Sequence, residues 1–209
     1  MQRAGAGDAN GRPTSTGRVI GVNAPNGETT LESVSVLPIR TYVDPVLAIE
    51  TQEIDNIDGK IHALALTMIE TMYRAPGVGL AANQVGISKR MFVYDSGDGL
   101  GPLTVINPRI LEKSGEWTYE EGCLSVPGLS WEITRANRVH LVGLDLDGNP
   151  IDMDVDEYHA RIFQNETDHL DGKLLLHCLK PEQEAASKKD IRKIKMNTSA
   201  GDGLKLFGR

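Results

Sequence analysis

Apolar residues recur at helical spacing over Ile61, Leu64, Ala65, Met68, Ile69 and Met72, so the stretch from Asp55 to Tyr73 reads as an amphipathic helix with one face on a core. Ala75-Pro76-Gly77 ends it. A glycine-rich loop follows, and Arg90 to Tyr94 then has the apolar run of a buried strand. Residues 103–111 predict another strand, broken at Asn107-Pro108. Ile151, Met153 and Val155 alternate with Asp152, Asp154 and Asp156, the period of a half-exposed strand. Asp147-Gly148-Asn149-Pro150 turns it back on a partner strand from Arg138 to Leu146. A helix starting near Asp156 to Tyr158 runs to Gly172, a glycine placed to cap it, and a second spans about Pro181 to Met196.

Upstream of all this, Val34 to Arg40 begins ordered structure and Asp44-Pro45 marks a turn. The pattern is α+β without internal repeats. It predicts one domain over residues 35–197, a disordered N-terminal tail over 1–34 and a flexible C-terminal tail over 198–209.

Composition narrows the picture without deciding it. The chain has 209 residues, enough for one domain with a substantial core, and its 40% hydrophobic and 24% charged content is ordinary for a globular protein. A formal charge of −7 argues against broad nucleic-acid binding, and no sequence-specific nucleic-acid contact is expected. Charge is unevenly spread, with Lys188, Lys189, Arg192, Lys193 and Lys195 close together and only Asp190 among them. A solvated helical face is the ordinary reading of such a cluster; contact with an acidic partner such as ribosomal RNA is the alternative. Two cysteines, Cys123 and Cys178, imply no disulfide framework. No apolar stretch suits a membrane span or a secretory signal, so a cytoplasmic location is expected. The first 36 residues, with three arginines and several Ser and Thr, also resemble a transit peptide, but their Gly, Asn and Pro suit a tail better.

Chemistry enters with the segment Phe163-Gln164-Asn165-Glu166-Thr167-Asp168-His169-Leu170-Asp171-Gly172. Zinc-type hydrolases carry His-Glu-x-x-His on a helix, because residues four apart share a face and both imidazoles reach one metal. Here Glu166 and His169 are present, while the first histidine position holds Asn165. Alone, a Glu-x-x-His usually decorates a solvated face. Two further segments accompany it: Glu121-Gly122-Cys123-Leu124-Ser125, and Pro76-Gly77-Val78-Gly79-Leu80-Ala81-Ala82-Asn83-Gln84.

In this order the three segments resemble the peptide deformylase family, over roughly Leu37 to Leu179. The resemblance implies mixed or antiparallel sheets around a central metal-motif helix. It also implies hydrolysis of the N-formyl group of N-formylmethionyl peptides, with release of formate. Cys123 and His169 match two ligands of one divalent metal, commonly iron(II) and replaceable by nickel, cobalt or zinc. Asn165 stands at the third ligand position. Glu166 matches the general acid/base, Gln84 and the Leu124 backbone N–H match the donors to the oxyanion, and Gly79 matches a backbone position lining the substrate cleft. His62, His140, His159 and His177 lie outside the motifs and read as structural or surface residues. Neighbouring His177 and Cys178 suit opposite faces of a strand, and Trp117 and Trp131 read as packing residues.

Asn165 departs from that pattern. An imidazole's far nitrogen reaches roughly 4.5 Å from Cα, whereas an asparagine oxygen reaches only about 3–3.5 Å. Metal–ligand distances tolerate only about 0.2 Å of error. Three readings follow: a lesion in an ordinary deformylase, a working variant with a substitute ligand or an additional water, or a non-catalytic relative that binds peptide N-termini. A protease of the His-Glu-x-x-His class is disfavoured, since the cysteine segment has no place in its mechanism.

Overall fold

Asp58 starts the first helix: its carboxylate accepts from the backbone N–H groups of Lys60 and Ile61, at 2.9 and 3.1 Å. That helix, α1, is Gly59–Arg74, so the stretch from Asp55 lies before the cap. It buries Ile61, Ala65, Met68 and Met72, the predicted face. The molecule is a computed structural model that describes residues 36–199, side chains of residues 197–199 excepted. The predicted tails lie outside these residues, apart from Thr198 and Ser199, which fall in the last helix.

A five-stranded antiparallel sheet forms one layer, with strands β1 (Gly79–Ala81), β2 (Met91–Tyr94), β3 (Leu103–Ser114), β6 (Arg138–Leu144) and β7 (Pro150–Asp156) in that spatial order. A separate antiparallel hairpin is built from β4 (Trp117–Cys123) and β5 (Val126–Arg135). The remaining α-helices among the described residues are α2 (Glu157–Leu170) and α3 (Pro181–Ser199). The molecule is therefore α+β, as expected. Helix α1 packs on one cluster of Met68, Met72, Leu80, Met91 and Ile106, while Phe163 of α2 packs with Phe92, Tyr94 and Leu141. No helix among the described residues is long and apolar enough to cross a membrane.

Several elements differ from the sequence expectation. Asn107-Pro108 does not break its strand; β3 continues, and its ladder with β6 shifts register between Ile106 and Arg109. Asn107 takes a left-handed φ of 49°, and its amide exchanges two hydrogen bonds with the Ile54 backbone, at 2.9 and 3.0 Å. The dipeptide thus makes a bulge anchored from outside the sheet. Within the glycine-rich loop, Gly79–Ala81 pairs with β2 as an edge strand. The hairpin β4–β5 was not predicted at all. His177 and Cys178 are on a short 3-10 helix, Leu175–Cys178, and not on opposite faces of a strand. Gly172 behaves as predicted: its φ of 71° closes α2, and its N–H donates to the His169 carbonyl at 3.0 Å.

Candidate metal centre

Helix α2 inverts the usual amphipathic logic, since Arg161, Gln164, Asn165, Glu166 and His169 are all buried. Each must find a partner inside the protein, because a polar group cut off from water costs free energy unless it is bonded. Gln164 ties the helix to the β5–β6 connection, donating to the Ala136 carbonyl at 2.9 Å and accepting from the Ala136 N–H at 3.3 Å. Asn83 donates to the His169 carbonyl.

Cys123 ends β4, and the two-residue turn Leu124-Ser125 leads into β5. Its sulfur lies 3.2 Å from His169 Nε2. Gln84, on the short 3-10 helix Ala82–Val85, points its amide nitrogen at this pair, 3.8 Å from Cys123 Sγ and 3.2 Å from Ser125 Oγ. Its amide oxygen accepts from the Ala81 N–H at 2.8 Å, which leaves the nitrogen as the end facing the site. Leu124 follows Cys123 directly, so its backbone N–H belongs to the same corner.

Glu166 faces Gly79. A Cβ at Gly79 would sit 2.5 Å from Glu166 Oε1, so only glycine lets the carboxylate occupy this place. Asn165 donates its amide nitrogen to the same Oε1 at 3.0 Å. Burial raises the Glu166 carboxyl above the ordinary carboxylate range, pushes the Cys123 thiol up to about 11, and lowers His169 to about 3. Without a metal the pair is therefore a neutral thiol beside a neutral imidazole, and His169 Nδ1 has no hydrogen-bond partner among the described residues.

The fold thus brings together Cys123, His169, Gln84, Leu124, Gly79, Glu166 and Asn165. Two donors fit a divalent cation. A tetrahedral site with Zn–S of about 2.3 Å and Zn–N of about 2.1 Å separates the two ligand atoms by roughly 3.5 Å, close to the distance found here. The third donor does not fit in the same way. Among the described residues no group of three His, Cys, Asp or Glu could hold a metal, and Asn165 gives its amide nitrogen to Glu166, so that residue 165 could offer only its short, neutral Oδ1 where an imidazole would reach further.

Sequence reasoning missed the shell behind the site. Glu121, Arg135, Arg161 and Asp168 form a buried network of ion pairs between the hairpin and α2. Buried arginines run against the ordinary preference for exposure, and nothing in their local sequence names a partner. The remaining candidates play supporting parts. Trp117 lies under the Arg161 guanidinium, Trp131 donates to Ser187 of α3 at 2.6 Å, and His177 Nδ1 accepts from the Leu174 N–H at 2.9 Å.

The polypeptide deformylase family model matches residues 36–185. The chain belongs to the peptide deformylase family. It is 46% identical over 143 residues to peptide deformylase 1 of Clostridium perfringens, covering 68% of this chain and 97% of that one. Among solved structures, the Thermotoga maritima peptide deformylase superposes with a TM-score of 0.68 at 42% identity, over 70% of this chain and 99% of that one. The Legionella pneumophila peptide deformylase gives a TM-score of 0.72 at 34% identity, over 79% and 98% of the two chains. Membership in this deformylase family implies a metal cofactor and formylated peptides as the substrate class.

Proposed function

We propose that this chain hydrolyses the formyl group of N-formylmethionyl peptides, releasing formate and the free amino terminus. The observation that supports this most directly is the meeting of three separated segments at one buried corner: Cys123 beside His169, Gln84 turned towards both, and Glu166 against Gly79. Cys123 and His169 would hold the metal, iron(II) by family resemblance, with nickel, cobalt or zinc able to replace it. When bound, a divalent metal lowers the pKa of water and polarises the formyl oxygen.

The protein groups do the rest. Glu166 takes a proton from the attacking water and delivers it to the amine nitrogen as the carbon–nitrogen bond breaks. Burial suits it to that exchange, because a raised carboxyl holds and releases a proton nearer neutral pH. The water oxygen bonds to the formyl carbon, and the oxygen that gains charge lies between Gln84 Nε2 and the Leu124 N–H, two fixed donors. Gly79 leaves room for both the carboxylate and a substrate backbone. The exposed basic residues of α3, Lys188, Lys189, Arg192 and Lys193 among them, suit contact with ribosomal RNA.

One observation favours a second reading. With Asn165 Nδ2 given to Glu166, a third bond from residue 165 would have to come from its neutral Oδ1, a weaker ligand than imidazole, which suits a relative that captures peptide N-termini without turnover. Formate release from a short formyl-Met peptide separates the two, with anaerobically loaded native protein beside its Asn165→His form. Turnover by the native chain supports the enzyme; turnover by the histidine form alone supports capture. Release by neither form, together with no metal bound, defeats the deformylase reading.

A further inference from the structure

Arg161 is fully buried and grips the hairpin through four of its residues. Nη1 donates to Glu121 Oε1 and, at 3.1 Å, to the Ile133 carbonyl of β5; Nη2 donates to the Trp117 carbonyl. The guanidinium also lies 4.7 Å from the Trp117 ring centre and 5.7 Å from that of Tyr119. Arg135 closes the network from the other side, donating from Nε to Glu121 Oε1 at 2.7 Å and from Nη1 to Asp168 Oδ2 at 2.6 Å. Two carboxylates thus face two guanidiniums, and α2 is fastened to the hairpin at both ends of its motif.

The spacing of these contacts is what matters for the site. Glu121 precedes Cys123 by two residues, and although the ladder with β5 shifts register between Gly122 and Cys123, both side chains turn to α2, Glu121 onto Arg161 and Cys123 onto His169. Arg161 precedes Asn165 by four residues and His169 by eight, so all three lie along one side of α2. Pinning Glu121 on Arg161 therefore sets Cys123 against His169. A slip of one strand residue would turn Cys123 to the opposite face and lose the 3.2 Å approach of sulfur to imidazole. Buried ion pairs seldom add net stability over well-packed apolar residues of the same volume, but they do constrain register and direction.

The geometry points to Arg161 as a positioning residue that holds the Cys123 strand in register on the helix bearing Asn165, Glu166 and His169. The inference rests on the proposed metal site only for why the spacing matters; the spacing itself is a property of the metal-free chain. The full chain is compared with Arg161→Met, Arg161→Lys and a control, Arg90→Met, which breaks a part-buried pair with Asp171 (2.9 Å) at the C-cap of α2, away from β4.

In metal-free protein, alkylation of Cys123 by N-ethylmaleimide is followed by peptide mass mapping, which resolves it from Cys178. Each variant is held equally far below its own melting temperature. Arg161→Met is expected to expose Cys123 about tenfold or more faster than Arg90→Met does, with Arg161→Lys between them. In parallel, the sulfur-to-cobalt absorption on cobalt(II) titration is expected to report roughly 10–100-fold weaker binding in Arg161→Met. Equal Cys123 labelling in Arg161→Met and Arg90→Met overturns the assignment; if Arg161→Met does not fold, the same comparison with Arg161→Lys decides. Absence of cobalt binding in the native chain, with the labelling pattern intact, defeats the metal reading and leaves the positioning role standing.

Discussion

Position 165 carries an amide where the metal-motif helix calls for an imidazole, and the amide is committed to Glu166 by a 3.0 Å hydrogen bond. On the proposed reading, an amide here offers a weaker metal donor than an imidazole and gives Glu166 a fixed partner. Restoring the ring is expected to do both things in reverse. Asn165→His should bind zinc or nickel more tightly by more than the ~10–100-fold typical of outer-shell changes, read by competition with a chelator. The same affinity in both forms would mean that residue 165 is not a ligand. Gly79 makes the complementary point about space. Gly79→Ala would place a methyl 2.5 Å from Glu166 Oε1, and a fully buried carboxylate has little room to retreat. Turnover is expected to fall by at least about tenfold as the proton carrier is displaced, with the fold retained by circular dichroism. Undiminished turnover would place Glu166 outside the proton path. Both residues were legible as positions within motifs. Their contacts were not, because a one-dimensional spacing does not say that Gly79 and Glu166 face each other across the site.

Helix α2 was predicted nearly to its ends, since Gly172 supplies a stop whose physics is local. That stop also makes a tertiary contact. A Cβ at Gly172 would meet the backbone carbon of Ala48 at 2.9 Å, on top of the strain of a left-handed φ of 71°. Gly172→Ala is expected to cost about 1–3 kcal/mol in denaturant unfolding, because neither the turn nor the facing backbone of Ala48 and Ile49 can move freely. A change within about 0.5 kcal/mol, as for an ordinary surface substitution, would show that the 45–49 segment yields easily. Hairpin β4–β5 is the opposite case. Glu121, Gly122 and Cys123 are all buried at the end of β4, so the apolar alternation that marked β7 is absent just where the strand is most buried. Asn107-Pro108 misled for a related reason. A bulge anchored by the Ile54 backbone tolerates a dipeptide that would end an unsupported strand.

For the molecule as a whole, the buried site sets a stability term that depends on pH. Burial raises the Cys123 thiol from its ordinary 9.0 to about 11. A raised folded-state value means that the contribution is complete below the unfolded value and is lost as pH rises through the folded one. Metal-free protein should therefore lose about 2–3 kcal/mol between pH 9 and pH 11 from this group. Cys178 and Tyr94, both raised by burial, add in the same direction. Urea unfolding at pH 8 and pH 10.5 measures the loss, and Cys123→Ala should reduce it. An identical loss in that variant would show that the thiol ionises without opening the site.

Taken as a string of residues, the chain already determined its helices, its β6–β7 hairpin and the identity of its three motif segments. Periodicity, caps and turn residues act over a few positions, and motif letters need no neighbours to be read. Tertiary structure alone decided the 3.2 Å meeting of Cys123 and His169, the bond from Asn165 to Glu166, and the burial of Arg161 and Arg135 against Glu121. Those contacts join residues far apart in the chain. A buried charge has a stable place only when the fold delivers its counter-charge, and that delivery is a property of packing rather than of local sequence.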